Sequence, residues 1–301
     1  MACRGGLLSS TFLASLACSI VLSPAVAGDK PVSTAAVDGV NAKLEGFGGS
    51  YANKGLYGAA GSVAVPLTGQ FGAQFDAAAG SFANRFIGSL GGHLFWRDPR
   101  QGLLGVYGDY TRWDQYGGVR VSHFAAEGEA YLGRFSVAVV AGVETGNNSG
   151  GGMTTVAIPG PGTLTTADGL TNVTRFFDRV TLSYYMTDNW KASVGHRYSG
   201  GRNALAVGTE YALPAGRGMM TSLFAEGRLG EGGNNYGAWG GIRVYFGNSD
   251  KTLMRRNRED DPAGDLTTDT LFDIVNSTGA SGTTATCPAG EVFLAGACVP
   301  P

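Results

Sequence analysis

The stretch from Asn235 to Phe246 alternates apolar and polar side chains with a period of two residues. One face is small or apolar throughout and consists of Tyr236, Ala238, Gly240, Ile242, Val244 and Phe246. The other face mixes small, aromatic and charged groups, among them Trp239 and Arg243. Because successive side chains of a β-strand point to opposite faces, this pattern predicts a strand. A soluble sandwich would bury the apolar face, whereas a transmembrane barrel would turn it to lipid and the polar face to the lumen.

The same alternation recurs in segments of about ten residues from Val40 onward. Twelve segments can be distinguished, at positions 40–51, 56–67, 71–82, 86–97, 103–113, 119–132, 135–144, 176–186, 190–199, 203–213, 219–229 and 235–246. A tilted strand of about ten residues is long enough to cross the hydrocarbon core of a bilayer. The pattern therefore predicts an all-β fold, an antiparallel up-and-down transmembrane β-barrel of about 12 strands.

The connections between these segments alternate in length. If both ends of the barrel lie on one side of the membrane, the turns on that side are all short and rich in turn-forming residues. They fall at 68–70, 98–102, 133–134, 187–189 and 214–218. The one long connection, 145–175, follows the seventh segment and lies on the opposite side. Short periplasmic turns and longer outer loops are typical of outer-membrane barrels, so this Gly/Thr/Pro-rich connection is predicted to be a flexible outer loop.

The composition agrees with a β-structure and argues against several other classes. Glycine accounts for 50 of the 301 residues, and charged residues make up only 15%. Each glycine inside a helix costs about 1 kcal/mol relative to alanine, which disfavours a helical fold. A net charge of -2 provides no basic surface for nucleic acid, so nucleic acid is not expected as a partner.

The N-terminus has the pattern of a secretory signal peptide. Arg4 provides the positive charge, residues 7–22 are mostly apolar, and Ala25-Val26-Ala27 forms an A-x-A cleavage site. Cleavage is expected between Ala27 and Gly28. A lipoprotein signal that uses Cys18 is the alternative, but Ser15 stands where such signals prefer leucine.

Four segments follow from these features. They are a signal peptide at 1–27, a periplasmic lead at 28–39, the barrel at 40–247 and a periplasmic C-terminal tail at 248–301. The tail is expected to have little structure, except for a loop closed by its two cysteines. Export through an oxidising compartment favours a disulfide between Cys287 and Cys298, the two cysteines of the mature chain.

Because alternate residues of a strand share a face, the positions of fifteen charged residues assign their side chains to the lumen. The acids are Glu45, Asp76, Asp109, Glu127, Glu129, Glu144, Glu210 and Glu226. The bases are Lys43, Arg97, Arg179, Lys191, Arg197, Arg228 and Arg243. A strongly selective pore would carry an excess of one sign, and these charges are nearly balanced. Unpaired buried charge is expensive, so we expect pairs across the lumen and an interior partly filled by its own side chains.

Neither a catalytic set nor a metal site is expected. Outer-membrane phospholipases carry a His-x-Ser pair, whose spacing of two residues keeps both side chains on one strand face. Here His196 and Ser199 are three residues apart, which places them on opposite faces. His93 and His123 face the lumen near carboxylates but lack a recognisable metal-ligand spacing. No nucleotide-binding, HExxH or CxxC motif is present, so no cofactor is predicted.

The Gly-rich alternating strands, the short turn at 186–190 and the final run Gly241–Phe246 resemble the outer-membrane β-barrel and porin-like proteins of Gram-negative bacteria. The resemblance covers residues 40–247. It implies a place in the outer membrane, contact with its lipids, and insertion by the barrel assembly machinery, which reads a final strand aromatic. Here the chain continues for about 55 residues beyond Phe246, unlike a barrel that ends at its last strand.

The resulting functional hypothesis is passive passage of small hydrophilic solutes through a narrow polar lumen. A structural or surface-interaction barrel, with its function in the 145–175 loop or the C-terminal tail, is the alternative. A lipid hydrolase is a third, disfavoured by the spacing of His196 and Ser199. A secreted β-sandwich is the alternative fold. The oligomeric state and the solute stay open.

Overall fold

Twelve strands close into one antiparallel barrel, which confirms the predicted fold class. The computed structural model describes residues 34–115, 118–148, 153–158, 162–167, 173–231, 235–247, 250–260, 269, 282–294 and 297–301. The signal peptide and the first part of the lead lie outside the described residues. The barrel strands are β1 Asn41–Tyr51, β2 Lys54–Thr68, β3 Phe71–Phe82, β4 Arg85–Asp98, β5 Gly102–Trp113, β6 Val119–Leu132, β7 Phe135–Asn148, β10 Val173–Thr187, β11 Trp190–Ser199, β12 Arg202–Gly216, β13 Met219–Gly230 and β14 Tyr236–Phe246.

Each barrel strand pairs with its neighbours in the chain, and the barrel closes where β1 meets β14. Along this seam Ala42 lies opposite Phe246, and Glu45 lies opposite Arg243. An even number of antiparallel strands brings the first and last strands together with both chain ends on the same side. Closure leaves the barrel sheet without an unpaired edge, which is the condition for placing strands in lipid.

The barrel has two distinguishable ends. The near end carries the start of β1, the end of β14 and five short turns, centred on residues 69–70, 99–101, 133–134, 188–189 and 217–218. The far end carries the other connections. Two of these are two-residue turns, Ala52-Asn53 and Ala83-Asn84, in which all four residues have φ between 50° and 61°. Two consecutive residues with positive φ are the mark of a type I′ hairpin, whose twist matches that of the paired strands.

The outer surface of the barrel is apolar. Phe75, Leu90 and Phe124 are each 65% exposed, a large value for aromatic and aliphatic side chains. Contiguous apolar surface of this extent is unfavourable in water and fits a hydrocarbon surrounding. All three residues belong to the apolar faces that the alternation predicted.

Aromatic side chains border the apolar band at both ends. The near-end ring consists of Phe71, Trp96, Phe135, Tyr184, Trp190 and Tyr211. The far-end ring consists of Tyr57, Phe86, Tyr110, Phe176 and Tyr236. On β4 the ten steps from Phe86 to Trp96 span about 33 Å of strand, or about 25 Å of height at a tilt near 40°. That is the height of the apolar band of outer-membrane barrels.

The connection between β7 and β10 contains strands, in contrast to the flexible loop predicted for 145–175. β7 runs on to Asn148, and β8 (Met153–Ile158) and β9 (Gly162–Ala167) form a hairpin at the far end. A strand from the C-terminal segment, β15 (Gly282–Thr286), pairs antiparallel with β9. β9 is thus hydrogen-bonded on both edges, to β8 and to β15, and these hydrogen bonds stabilise a sheet in a Gly/Thr-rich sequence.

The C-terminal segment, residues 248–301, also contains more structure than expected. Helix α1 (Leu253–Glu259) begins after Thr252, whose side chain accepts a hydrogen bond from the Arg255 backbone nitrogen at 3.4 Å. Such a cap satisfies one of the free backbone donors at a helix start. Strands β16 (Val292–Leu294) and β17 (Ala297–Val299) form a small hairpin, and a disulfide joins Cys287 to Cys298. Within the described residues, no helix has the length and apolar character needed to span a membrane.

Apolar side chains fill part of the far half of the interior. Inward positions at the far ends of the strands form one buried cluster, with Tyr51, Phe82, Ile87, Trp113 and Trp239 among its members. Phe82 and Trp113 pack with ring centroids 5.1 Å apart. This cluster is a packed core on the side of β13, β14 and β1 to β6, whereas charged side chains such as Arg197 and Arg228 lie near the far ends of β11 and β13.

Candidate functional site

The fifteen charged side chains assigned to the lumen all lie on the inner side of the barrel wall. Thirteen are buried, namely Lys43, Glu45, Asp76, Arg97, Asp109, Glu127, Glu144, Arg179, Lys191, Arg197, Glu210, Arg228 and Arg243. Glu129 and Glu226 are partly buried and line an interior cavity. The strand period of two explains this placement, because alternate side chains cannot share a face.

An interior cavity of about 110 Å³ lies among these charges. Its lining includes the basic side chains of Arg179, Lys191, Arg197, Arg228 and Arg243 and the carboxylates of Glu127, Glu129, Glu210 and Glu226. Sites for drug-sized ligands usually measure about 300–1,000 Å³. The cavity therefore has room for a few water molecules or a small ion.

The charges are segregated around the wall. Strands β3 to β7 carry the acids Asp76, Asp109, Glu127, Glu129 and Glu144. Strands β10 to β14 carry the bases Arg179, Lys191, Arg197, Arg228 and Arg243. Arg97 on β4, Glu210 on β12 and Glu226 on β13 are exceptions to this segregation. The near balance of total charge predicted from the sequence thus conceals an excess of acids on β3 to β7, here called the acidic wall, and an excess of bases on β10 to β14, the basic wall. Opposed walls of this kind generate a field across the lumen, which orients a polar solute between them.

On the acidic wall His93 lies between two carboxylates. Its Nε2 is 3.0 Å from Asp76 Oδ2, and its Nδ1 is 2.9 Å from Glu127 Oε2. Gln74 Nε2 donates to the other oxygen of Asp76 at 2.9 Å. The three side chains come from β3, β4 and β6, so the contacts cross three strands of the wall.

A second histidine repeats this arrangement towards the far end. His123 Nδ1 is 3.0 Å from Asp109 Oδ1, and its Nε2 is 3.2 Å from Glu144 Oε2. Arg175 Nε donates to Glu144 Oε1 at 2.7 Å, and Tyr107 hydrogen-bonds to Asp109. No group of three or more His, Cys, Asp or Glu side chains in the described ranges has an arrangement that could hold a metal ion. Both histidines serve as polar bridges within the wall.

On the basic wall Arg243 connects several carboxylates. It donates to Glu45 at 2.6 Å and to Glu210 at 2.8 Å. Glu210 in turn accepts from Ser222 and Tyr245, each at 2.6 Å, and Lys191 Nζ is 3.4 Å from it. This group links β1 with β11 to β14 across the seam. Buried ion pairs of this kind persist because additional hydrogen bonds satisfy the remaining oxygens.

The near mouth of the barrel is covered by the end of the lead. Ala36 and Val37 are buried against Phe95 and Leu103. Arg97 Nη1 donates to the Ala36 carbonyl at 3.0 Å, which ties the lead to the inner wall. The last residues of the predicted periplasmic lead are thus packed into the barrel mouth.

Helix α1 covers the rest of that mouth. Its backbone and side chains hydrogen-bond to three of the near-end turns, through Met254 to Asp188, Arg256 to Gly218 and Arg258 to Gly133. Lys251 joins helix and lead, with Nζ 2.9 Å from Asp38 and 3.2 Å from Glu259. The segment that was predicted to be a little-structured tail begins as a cap on the barrel.

Further along, Asp269 lies inside the lumen. Its carboxylate is 3.1 Å from Arg197 Nε and also pairs with Arg228, and the residue is 7% exposed. The sequence analysis did not identify Asp269, because it lies outside any alternating strand and parity gives it no face. Asp269 and β15 both lie beyond the near mouth of the barrel, and the periplasmic position expected for the C-terminal tail stays a prediction.

The side chains considered for catalysis lie on opposite sides of the wall. His196 is exposed on the outer face, with its ring nitrogens 3.0 Å from Asp178 and 3.1 Å from Asn203. Ser199 is buried on the inner face. Nucleophilic catalysis requires the base within hydrogen-bond reach of the hydroxyl, and the barrel wall separates these two groups.

Comparisons with known proteins give distant matches of structure. No family model matches the chain, and no curated protein matches it. An outer-membrane channel from Pseudomonas putida F1 is 13% identical with a TM-score of 0.45, over 72% of this chain and 99% of that one. The translocator domain of the autotransporter NalP from Neisseria meningitidis is 15% identical with a TM-score of 0.41, over 69% of this chain and 87% of that one. A Pseudomonas aeruginosa FadL homologue is 10% identical with a TM-score of 0.32, over 69% and 88%.

Similarity at this level concerns the fold and indicates no activity. The assignment of the fold rests on the molecule itself, through the closed sheet, the even strand number and the apolar outer band between two aromatic rings. By these criteria the chain has the fold of the Gram-negative outer-membrane β-barrels, in a twelve-stranded form.

Proposed function

We propose that the protein is an integral outer-membrane barrel that gives narrow, passive passage to small hydrophilic solutes. The observation that carries this proposal is the 110 Å³ cavity in the lumen, lined by five basic side chains and by carboxylates. A barrel with a purely structural interior could be filled throughout by apolar side chains, as part of the far half is. Charged groups around a water-sized space instead support a polar path.

The described arrangement corresponds to a closed form of that path. Lead and helix α1 cover the near mouth, and the apolar cluster fills much of the far half. Passage therefore requires a displacement of one of these parts. The wall strands are held by continuous ladders, whereas helix α1 is attached to the near-end turns mainly through side chains and its first backbone N–H groups, so this helix is the part we expect to move.

The proposed setting is the outer membrane, with the near end in the periplasm. The apolar band supports contact with membrane lipids, and the aromatic Phe246 at the end of β14 supports insertion by the barrel assembly machinery. The signal at 1–27 supports export, with cleavage between Ala27 and Gly28.

Planar-bilayer conductance of the refolded mature protein tests the proposal. We expect small, discrete current steps with a selectivity set by the lumenal charges. Arg179→Gln should shift selectivity towards cations and Glu127→Gln towards anions, because each removes one charge from a wall of the cavity. Arg134→Gln is the matched control, since that arginine is about half exposed in a near-end turn. A correctly folded barrel that gives no steps under any of these conditions would contradict the proposal.

A second candidate is a surface-interaction barrel. The specific observation in its favour is the sheet of β15, β9 and β8 at the far end, which joins the C-terminal segment to the long connection. It would gain support if the folded barrel conducts no current and deletion of the hairpin at 153–167 removes a cell-surface phenotype.

We do not propose catalysis. Lipid hydrolysis by the purified protein that is lost in Ser199→Ala would be the result in favour of it.

A further inference from the structure

The interior cavity lies where the inner wall carries small side chains. Its lining on β7 and on β10 to β12 includes Ala138, Thr181, Ser183, Ser193, Gly195 and Gly208. These positions adjoin one another in the strand register, in which Ser193 lies opposite both Ser183 and Gly208. The space of about 110 Å³ therefore borders a contiguous patch of short side chains, here called the small-residue patch.

Among the described residues, the charged side chains that line this cavity are balanced in sign. The five basic side chains named above are accompanied by the carboxylates of Glu127, Glu129, Glu210, Glu226 and Asp269. An ion of one sign would add an uncompensated charge to this interior, and uncompensated buried charge is unfavourable. A solute that carries one positive and one negative group leaves the balance unchanged. The lining thus favours a zwitterion over a simple cation or anion.

Glu127 provides an anchor for the positive group of such a solute. The residue is 8% exposed, and its Oε2 is 2.9 Å from His93 Nδ1. The other oxygen, Oε1, is buried and has no hydrogen-bond partner among the described residues. A buried acceptor without a donor is costly, so a cationic N–H group in the cavity would bind here favourably. Glu129 lies on the same face of β6, opposite Ala138 of the small-residue patch, and adds a second carboxylate.

Lys191 provides a cation at the near-end border of the small-residue patch. It lies two residues before Ser193 on the same face of β11 and is 9% exposed. Its Nζ is 3.4 Å from Glu210 Oε2, whereas charge-assisted hydrogen bonds are about 2.7–2.9 Å long. Because this contact is loose and an ammonium group has three donors, Lys191 can also donate to a carboxylate in the cavity. The arginines of the basic wall add positive potential on that side, whatever hydrogen bonds they make within the protein.

We propose that the cavity binds a small zwitterion with a primary ammonium group, such as an amino acid with a very short side chain. The ammonium group donates to Glu127, and the carboxylate pairs with Lys191. A quaternary ammonium group has no N–H donor and therefore cannot satisfy Glu127 Oε1. This inference rests on the passage function proposed above and names its solute class. It takes from that proposal only that solutes reach the cavity.

Saturation-transfer NMR on the full mature protein in detergent micelles tests the solute class, because it detects weak binding directly. The probes are glycine, methylammonium, acetate and glycine betaine, each at the same millimolar concentration. Glycine should give a saturable signal. The other three should give little, since each lacks one charged group or the N–H donors. This series needs no variant, so it tests the proposal even where a substitution prevents folding.

Three variants locate the site. Glu127→Gln and Lys191→Gln should each weaken glycine binding about tenfold, because each removes one charged partner. Ala138→Leu should abolish the signal by filling the small-residue patch while keeping every charge. Asp188→Asn is the matched control, because that carboxylate pairs with Arg134 in an exposed near-end turn, and it should bind glycine as the parent does. Heat-dependent gel mobility shows whether each variant is folded.

The outcomes separate this inference from the function on which it rests. A conducting barrel in which glycine binds no better than methylammonium or acetate would overturn the zwitterion site and leave passage intact. Equal glycine binding in the parent, Glu127→Gln and Ala138→Leu would also overturn the site. Glycine binding that follows the expected pattern in a barrel that never conducts would support the site and overturn passage. A folded barrel that neither binds glycine nor conducts would overturn both.

Discussion

Arg243 of β14 donates its Nε to the Glu45 carboxylate of β1 at 2.6 Å, directly across the seam that closes the barrel. The two residues also lie opposite each other in the strand register, so side-chain pairing and backbone pairing coincide. Both side chains are almost fully buried. The charge pair therefore joins the first and last strands at the one place where closure depends on segments far apart in sequence.

Arg243→Gln should destabilise the barrel by about 3–5 kcal/mol, because it leaves the Glu45 and Glu210 carboxylates buried with one cation fewer. The measurement is the urea midpoint for loss of the compact, fast-migrating gel form. Arg134→Gln removes an arginine from an exposed pair with Asp188 and should cost about 0–1 kcal/mol. Equal midpoints for the two variants would show that the seam pair does not contribute to closure.

Gly241→Ala should interfere with closure of the same seam by sterics. A Cβ at this position would overlap the carbonyl oxygen of Gly46 on the neighbouring strand, and a backbone atom cannot move away without disturbing the ladder. We expect a loss of about 1–3 kcal/mol or more, measured by the same urea midpoint. Gly46→Ala is the matched control on β1, where an added Cβ meets nothing within 4 Å. A tolerated Gly241→Ala would mean that the two strands lie further apart than described.

The cap on the near mouth should weaken at alkaline pH. Burial by itself lowers the pKa of Lys251, but Asp260, Asp38 and Glu259 outweigh this effect and hold the pKa above its usual value. A raised pKa contributes stability that is complete below the unfolded value of about 10.4 and is lost as pH rises through the folded value. The stability of α1, measured as the protection of its amides relative to their intrinsic exchange rate at each pH, should therefore be constant at neutral pH and fall above about pH 10.4.

Lys251→Met provides the comparison for that measurement. The variant cannot titrate at this position, so the protection of its α1 amides should lack the alkaline step and should already be lower at neutral pH. Arg255, Arg256 and Arg258 lie on the same helix and are unchanged in this variant. An alkaline step of equal size in Lys251→Met would assign the pH dependence to another group.

An epitope fused after Pro301 should be accessible to antibody on intact cells. The disulfide between Cys287 and Cys298 ties the terminal hairpin to the end of β15, and β15 pairs with β9 at the far end. With the near end in the periplasm, the C-terminus then lies outside. An epitope inserted at 99–101, in a near-end turn, should bind antibody only after permeabilisation. If the C-terminal epitope bound antibody only after permeabilisation while the epitope at 99–101 bound it on intact cells, the C-terminus would lie in the periplasm.

Local alternation determined the wall of the barrel. A period of two distributes side chains between two faces, and this suffices to predict twelve strands, an apolar outside and the inward position of residues such as Glu45 and Arg243. Even the segments with the weakest alternation, 86–97 and 203–213, form β4 and β12. The ends of the strands were predicted less well, because the hydrogen bonds between strands continue beyond the last apolar residues. β7, for example, continues to Asn148.

The content of the lumen was decided by tertiary structure. Whether inward side chains meet as an apolar core, as Phe82 and Trp113 do, or as an ion pair, depends on which strands close around them. Asp269 and β15 belong to a segment without periodicity, and their partners lie about 40 to 120 residues away in sequence. Alternation records only which face a side chain takes along its own strand. Contacts between distant segments depend on the closed barrel that brings them together. For this reason the sequence alone predicted the strands of the wall and their two faces, whereas the tertiary structure decided which side chains meet inside it.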